Sequence, residues 1–251
     1  MKKIALGAFL VLLLTIGFGV YYLLSNLNGI VKTAIETYGS QATQTAVRVK
    51  SVQIKLQDGS GAIRGLTVGN PQGFVTKLAF SLGEITTQVD LKSLSEDVTV
   101  IEHVTVRAPE IFFELNAKGK NNLGELKRNL SSATSKSAVS SSGKGSQTDP
   151  RLIIHKLLFV DGNIHASVAP LNKSYELQLP KIVLKNLGGR NGATPTQIAN
   201  QVLKVLTDRA LDEVKKKGIG QYKAKLEGEI NKRLGSGKDK LGDKLKGVLG
   251  Y

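Results

Sequence analysis

The N-terminal run of apolar residues restricts the architecture of this chain more than any other feature of its sequence. Lys2 and Lys3 precede an uncharged, predominantly apolar stretch, Ile4–Ser25. About 20 apolar residues in a helix can cross the roughly 30 Å hydrocarbon layer of a membrane, whereas a helix that is apolar on every side cannot lie on the surface of a small soluble domain. We therefore predict that residues 1–27 form a short cytoplasmic stub followed by a transmembrane anchor.

The length of this run also separates an anchor from a cleaved secretory signal. A signal peptide has an apolar stretch of about 7–15 residues and a small-residue cleavage site. Here the run is longer and continues through Tyr21 and Tyr22 without an A-x-A pattern. The two leading lysines retain the N-terminus in the cytoplasm by the positive-inside rule. We expect a single-pass protein with most of its mass outside the cytoplasm.

The charge balance favours anionic partners. The chain carries 35 Lys and Arg against 20 Asp and Glu, a formal net charge of +15. For an exported chain, anionic lipid and a membrane surface fit this charge better than nucleic acid, which we do not expect as a partner. A lysine-rich surface that serves only solubility explains the charge equally well. The absence of cysteine excludes disulfides, thiolate metal sites and a cysteine nucleophile.

Residues 28–128 are predicted to form a first β unit, which begins with a short helix over Gly29–Gly39. From Val47 onward, apolar and polar residues alternate in short runs. A period of two is typical of strands with one buried and one solvated face, and several such strands joined by turns indicate antiparallel hairpins. We therefore predict a mainly β fold with α: a transmembrane helix, a curled antiparallel sheet that forms an open groove, and C-terminal amphipathic helices.

Turn signals and phase slips subdivide this β unit. Asp58–Gly59 and Asn70–Gly73 are turn sequences between alternating runs. The alternation slips by one residue between Val49 and Val52 and again at Gly65. A single extra residue in a strand is the signature of a β-bulge, so we expect the sheet to bend at these points.

The rest of the chain divides by composition into three segments. Residues 129–150 are dominated by Ser, Gly, Thr and Lys and are predicted to be a flexible linker, because they have little to bury. Alternation returns in 151–190, a predicted second β unit. In 191–251 the period becomes 3.6, with Thr194 as N-cap and Pro195 at the first helical position, which predicts a basic, amphipathic helical tail.

A search for catalytic and metal-binding residues returns little. The chain has three histidines, His103, His155 and His165. The last two lie on neighbouring predicted strands, where they could face each other, but no third ligand has a suitable spacing. No nucleophile, base and orienting group occur together in a known pattern. We expect no metal, no cofactor and no enzymatic activity.

Several segments of the chain resemble the N-terminal part of AsmA-like proteins. The resemblance covers roughly 140 residues and includes the anchor and the strand over Val47–Leu56. Its further elements are Gly65–Phe74, Val89–Leu94, Ala108–Ile111 with Glu114, and, in the second β unit, Leu157–Val168 and Leu179–Gly188.

AsmA-like proteins are anchored in the inner membrane of diderm bacteria, and the larger ones form long β grooves implicated in moving phospholipid toward the outer membrane. The resemblance therefore implies an inner-membrane, single-pass protein with a periplasmic bulk and no catalytic residues. About a dozen strands at 4.8 Å each give a trough of roughly 50–60 Å, which is shorter than the periplasm. We expect a truncated module, an assembly subunit or a lipid-binding accessory, with phospholipid or another anionic envelope lipid and an envelope protein as partners.

Candidate lipid-facing residues are the apolar members of the alternating runs, and candidate membrane-surface residues are lysines of the tail. The lipid-facing set is Val52, Ile54, Leu56, Leu66, Val68, Leu78, Phe80, Val104, Val106, Ile111 and Phe113. The membrane-surface set is Lys215, Lys216 and Lys217. The tail either lies in the membrane interface through these lysines or packs on the sheet.

Three other hypotheses compete with lipid binding. A scaffold with a filled β core and a basic partner-binding tail requires the same alternation as a lipid groove. A desiccation-protein-like β sandwich is suggested by Asn70–Pro71 after a strand, although this dipeptide is a common turn. An enzyme is the third.

Overall fold

The computed structural model describes residues 25–140, 150–169, 173–214 and 216. Within these ranges the protein is mainly β, and one open, unclosed sheet is flanked by helices. The predicted anchor lies almost entirely outside them, as does most of the predicted tail. A search of the described helices for one long and apolar enough to span a membrane found none.

The sheet contains nine strands in the described part of the chain, and they form six rows. The strands are β1 (Val47–Arg48), β2 (Ser51–Lys55), β3 (Ser60–Gly69), β4 (Leu78–Val89), β5 (Val98–Leu115), β6 (Arg151–Val160), β7 (Gly162–Val168), β8 (Lys173–Leu179) and β9 (Ile182–Leu187). The rows run in the order β1 with β2, β3, β4, β5, β6 with β7, and β9 with β8.

The predicted antiparallel sheet proves to be mixed. Strand β5 pairs in parallel with β6 along its first part and with β7 along its last part, so that Val106 pairs with Phe159 and Ile111 with Ile164. All other pairings are antiparallel. Parallel neighbours require a long crossover, usually one that contains a helix. The predicted first and second β units therefore belong to one continuous sheet.

The crossover contains helix α2 (Asn122–Ser140), which corrects the predicted flexible linker over its first part. Residues 141–149 lie outside the described ranges. The Oδ1 of Asn121 accepts the N–H of Gly124 at 2.7 Å and caps the helix. Leu123, Leu126 and Leu130, spaced by three and four, are buried in the core. Burial of this stripe stabilises a helix whose serine content is unfavourable, because packing outweighs propensity.

A line of irregular positions crosses the sheet from edge to edge. Gly65 lies opposite Gly83, and Gly83 lies opposite Ala108. Asp161, between β6 and β7, continues the line. Gly65, Ala108 and Asp161 have positive φ of 60°, 47° and 57°.

The pairing register continues across this line without an extra residue, so the predicted bulge at Gly65 is wrong in that respect. The side chains instead change face there, since Ile85 and Val106 on one side of the line and Phe80 and Ile111 on the other contact the same core; we call this line the bend. The predicted slip at Gly65 is confirmed, and a Cβ there would lie 2.9 Å from the Cβ of Lys50.

The predicted turn at Asp58–Gly59 is also confirmed. Gly59 has a φ of 69°, which a side chain rarely tolerates. The carboxylate of Asp58 accepts the hydroxyl of Ser60 at 2.6 Å and its N–H at 2.9 Å. These two hydrogen bonds stabilise the charged form and lower the pKa of Asp58 below its ordinary value.

The first edge of the sheet is covered by a helix. Residues 25–43 are helical, which includes the predicted helix over Gly29–Gly39; we name this segment α1. Four polar side chains on one side of α1, at intervals of four, bind backbone groups of β2 and the β1–β2 junction. Asn28 Oδ1 accepts from Ile54 N–H (2.9 Å), Lys32 Nζ donates to Lys50 O (3.5 Å), Glu36 Oε1 accepts from Val49 N–H (2.8 Å), and Ser40 Oγ accepts from Val47 N–H (2.9 Å). An edge with occupied backbone groups is protected from pairing with another chain.

Replacing Glu36 with alanine tests this contact. We expect Glu36→Ala to lower the free energy of unfolding by about 1–2 kcal/mol, because the N–H of buried Val49 loses its acceptor. Hydrogen exchange at the Val49 amide should accelerate, while Thr37→Ala, at an exposed position of the same helix, should leave it unchanged. Equal exchange in both variants would show that α1 does not hold the edge.

The core lies between the apolar side of the sheet and the helices α2 and α3 (Pro195–Val214). Thr194 and Gln197 form a capping box at the start of α3: Thr194 Oγ1 accepts the Gln197 N–H at 3.3 Å, and Gln197 Oε1 accepts the Thr194 N–H at 3.0 Å. The predicted N-cap and the proline that follows it are thus confirmed. The helix buries Ile198, Leu203, Leu206, Thr207, Ala210 and Val214.

Candidate functional site

Strand register places an apolar side chain from each of the six rows on one face, while Ile101, Ile154 and Leu187 pair on the other face. Val52 pairs with Ile63, Ile63 with Ile85, Ile85 with Val106, and Val106 with Phe159. Paired residues in neighbouring strands project to the same side of a sheet. The apolar face is therefore continuous across the sheet, and its two halves, on either side of the bend, differ in how they are covered.

The protein itself fills the part of this face that follows the bend in β5, together with the position of Val106 just before the bend. Phe80, Val106, Ile111 and Phe113 are 7, 3, 0 and 1 % exposed and belong to the core that includes α2 and α3. These four were predicted to face lipid. Their side chains have almost no surface left for a lipid, so we remove them from the candidate site.

The other half carries a strip of half-buried apolar side chains. We call it the apolar strip; it consists of Val52, Ile54, Ile63, Ile85, Val98, Val100, Val104, Ile153 and Leu184. Three of these, Val52, Ile54 and Val104, are among the predicted lipid-facing residues. The other six occupy equivalent register positions, which sequence alternation alone does not reveal until the partners of each strand are known.

The remaining predicted lipid-facing residues lie at the margins of the strip. Leu66, Val68 and Leu78 are half-buried, and Val68 packs against the core. Leu56 is 44 % exposed and lies in the turn after β2 rather than in a strand. Lipid contact of these four residues stays a prediction.

A polar pair interrupts the apolar strip. Glu102 Oε2 lies 3.0 Å from Nδ1 of His155, and both side chains are partly exposed. His165 lies on the opposite face, where it contacts Glu110 and stacks on Phe112 with ring centroids 5.0 Å apart. The expectation that His155 and His165 face each other is therefore wrong, because the two strands that carry them follow one another in one row.

A search of the described residues for groups of three or more potential metal ligands found none. Of the predicted membrane-surface lysines, Lys216 is exposed, and its Nζ lies 2.7 Å from Oε1 of Glu213. Lys215 and Lys217 lie outside the described ranges.

Comparison with known proteins adds no identification. No model of a known protein family matches the chain, and no curated protein matches it.

Proposed function

We propose that this protein is a non-catalytic, AsmA-like protein of the bacterial inner membrane whose periplasmic sheet binds lipid acyl chains and supports lipid transport or homeostasis in the envelope. The observation that carries the proposal is the apolar strip, which leaves partly buried valine, isoleucine or leucine side chains on every row of an unclosed sheet. Ile85, Val104 and Leu184 of the strip also pack against the core, so the accessible surface lies mainly on the other six residues. Contiguous exposed apolar surface on a soluble part of a protein commonly marks a site for a lipid or a protein partner.

The width of the strip is large enough for the length of a lipid acyl chain. Six rows are separated by five spacings of about 4.8 Å, so the strip is about 24 Å across. One leaflet contributes about 15 Å to the hydrocarbon layer of a bilayer. An acyl chain laid across the rows would thus be accommodated along its whole length and would remove both its own surface and that of the strip from water.

The position of α1 fits a membrane-tethered sheet. In the sequence this helix follows the predicted anchor, and its polar side chains bind the first edge of the sheet. An anchor in the inner membrane would therefore hold that edge, and with it the apolar strip, next to the bilayer from which lipid is drawn.

The alternative is a scaffold with a filled core and a basic tail that binds a partner. It is favoured by the covered half of the apolar face, where α2 and α3 occupy the space that a groove would leave for lipid. On this alternative the strip contacts an envelope protein instead of an acyl chain.

The two functions are separated by measuring lipid bound to the full-length protein. We expect a photoactivatable phospholipid to label the purified chain at the strip. The double variant Val52→Thr and Val100→Thr should reduce labelling about 10-fold, because each hydroxyl weakens apolar contact by somewhat under 1 kcal/mol. The β-branched shape is preserved, so the strands should form as before.

The matched control places the same substitutions on the opposite face, as Val160→Thr and Val183→Thr. This variant should label like the unchanged protein. If both variants lose labelling equally, or if the unchanged protein retains no stoichiometric lipid, acyl-chain binding is excluded and the scaffold function stands.

A further inference from the structure

The polar face of the same strands contains a cavity. Its volume is about 360 Å³, and it is lined by eleven residues from β2, β3, β4 and β5. This cavity lies on the side opposite the apolar strip, because its main side chains alternate with those of the strip along each strand. The lining includes six long or polar side chains, those of Gln53, Lys55, Arg64, Gln88, His103 and Thr105.

The lining of the cavity is basic and rich in hydrogen-bond donors. Lys55, Arg64 and His103 line it together with glutamine, serine and threonine side chains, and none of the eleven lining residues is acidic. A concave surface of one sign concentrates the electrostatic potential and attracts counter-ions. The ligand that matches this lining is an anion with several oxygen atoms.

The guanidinium of Arg64 is held in place beside the cavity. Its Nε donates to Oε1 of Glu84 at 2.9 Å, and its Nη2 also lies 2.9 Å from that oxygen. Nη1 lies 3.5 Å from Oε1 of Gln53, another lining residue. Glu84 itself is not part of the lining, so it orients the arginine without placing a carboxylate in the cavity.

Lys55 supplies a second cation. No ion pair joins it to a carboxylate within 4.0 Å among the described residues. The carboxylate of Asp58 is hydrogen-bonded to Ser60 and is attracted to Lys55, which also lowers the pKa of Asp58, but it does not line the cavity. The ammonium is thus available to an external anion.

We propose that this cavity binds a phosphate ester of a small polyol, with the phosphate between Arg64 and Lys55 and the hydroxyls on the glutamine and threonine side chains. With Nε and Nη2 of Arg64 directed at Glu84, the guanidinium offers its remaining N–H groups to phosphate oxygens, and Lys55 adds a point charge. The volume lies at the lower end of the range of small-molecule sites. This inference is independent of acyl-chain binding, since it concerns the other face of the sheet. The ester is either a soluble metabolite or the head group of a phospholipid.

Calorimetric titration of the full-length protein in nonionic detergent tests the proposal, with glycerol phosphate as ligand and glycerol as the uncharged comparison. We expect glycerol phosphate to bind, inorganic phosphate to compete, and glycerol not to bind. Lys55→Glu should weaken binding about 10-fold or more. Lys181→Glu makes the same change of charge at an exposed site between β8 and β9 and should change affinity by less than about 2-fold. Arg64→Gln provides a second variant, with unfolding measured in parallel.

A second arm adds phosphatidylglycerol to the detergent micelles. If only this lipid binds, and Lys55→Glu weakens binding while Lys181→Glu does not, the ligand is a head group. If glycerol phosphate itself binds, and Lys55→Glu weakens that binding while Lys181→Glu does not, the ligand is a soluble ester. If the two lysine variants behave alike with both ligands, or if neither ligand binds, the cavity is not a phosphate site and the acyl-chain proposal is unaffected.

Discussion

Leu126→Ala is expected to lower the free energy of unfolding by about 3 kcal/mol, with a fall in Tm of roughly 6–12 °C for a chain of this size. Leu126 is 1 % exposed and lies in the core beside Leu123 and Leu130. Truncation removes the contacts of three carbon atoms, Cγ, Cδ1 and Cδ2, and leaves a cavity that the neighbouring strands cannot fully close. Chemical unfolding followed by circular dichroism gives the value.

The result also tests how the crossover between β5 and β6 is built. In a flexible linker, Leu126 would contact solvent, and its truncation would change stability by less than about 0.5 kcal/mol. Leu94→Ala is the matched control, since Leu94 is 54 % exposed. A loss at position 126 no larger than at position 94 would mean that α2 does not cover the sheet.

The parts of the fold that could be predicted are those that depend on near neighbours in the sequence. A strand with one solvated face must alternate, so the strands and the slip at Gly65 could be inferred before any pairing was known. The turn at Asp58–Gly59 and the capping of α3 by Thr194 depend on residues at most three positions apart. Local chemistry is sufficient for each of these features.

The parallel pairing of β5 with β6 and β7 could not be inferred in the same way. Alternation records which residues share a face, but it is the same for parallel and antiparallel neighbours. The crossover that decides the matter includes a serine-rich segment whose composition indicates disorder. Leu123 and Leu126, which pack α2 on the core, lie before residue 129. The composition of residues 129–150 therefore does not include them and indicates disorder.

The same ambiguity limits prediction of the candidate site. Phe113 and Val100 both belong to alternating runs of β5, yet one is buried under helices and the other is half-exposed in the apolar strip. The difference arises from where α2 and α3 lie, 10 to 100 residues away in the sequence. A covered core and a lipid-binding surface therefore have the same local pattern, and only the tertiary arrangement separates them.

Glu114→Ala is expected to destabilise the protein by about 3 kcal/mol, although sequence alternation alone gives this residue no special role. Glu114 is 4 % exposed at the end of β5. Its carboxylate accepts the N–H of Val75 at 2.7 Å, the N–H of Thr76 at 2.8 Å and the hydroxyl of Thr76 at 2.8 Å. Alanine would remove all three hydrogen bonds to this buried carboxylate, and hydrogen bonds to a charged group contribute more than an average hydrogen bond does.

Two further measurements separate hydrogen bonding from simple packing at this position. Glu114→Gln retains one acceptor oxygen and similar volume, so it should lose only about half as much stability. Glu96→Ala, at an exposed position before β5, should have an effect within about 0.5 kcal/mol. Hydrogen exchange at the Val75 and Thr76 amides should accelerate in Glu114→Ala and less so in Glu114→Gln.

The hydrogen bonds around Glu114 extend beyond the loop between β3 and β4. The N–H of Glu114 donates to Oδ1 of Asn122 at the start of α2, and Nδ2 of Asn122 donates to Oδ1 of Asn70. One network of hydrogen bonds therefore joins that loop, β5 and the helix that covers the core. If the Val75 and Thr76 amides exchange at the same rate in all three variants, the carboxylate does not hold the loop, and the loop is joined to α2 through the hydrogen bonds of Asn122 instead.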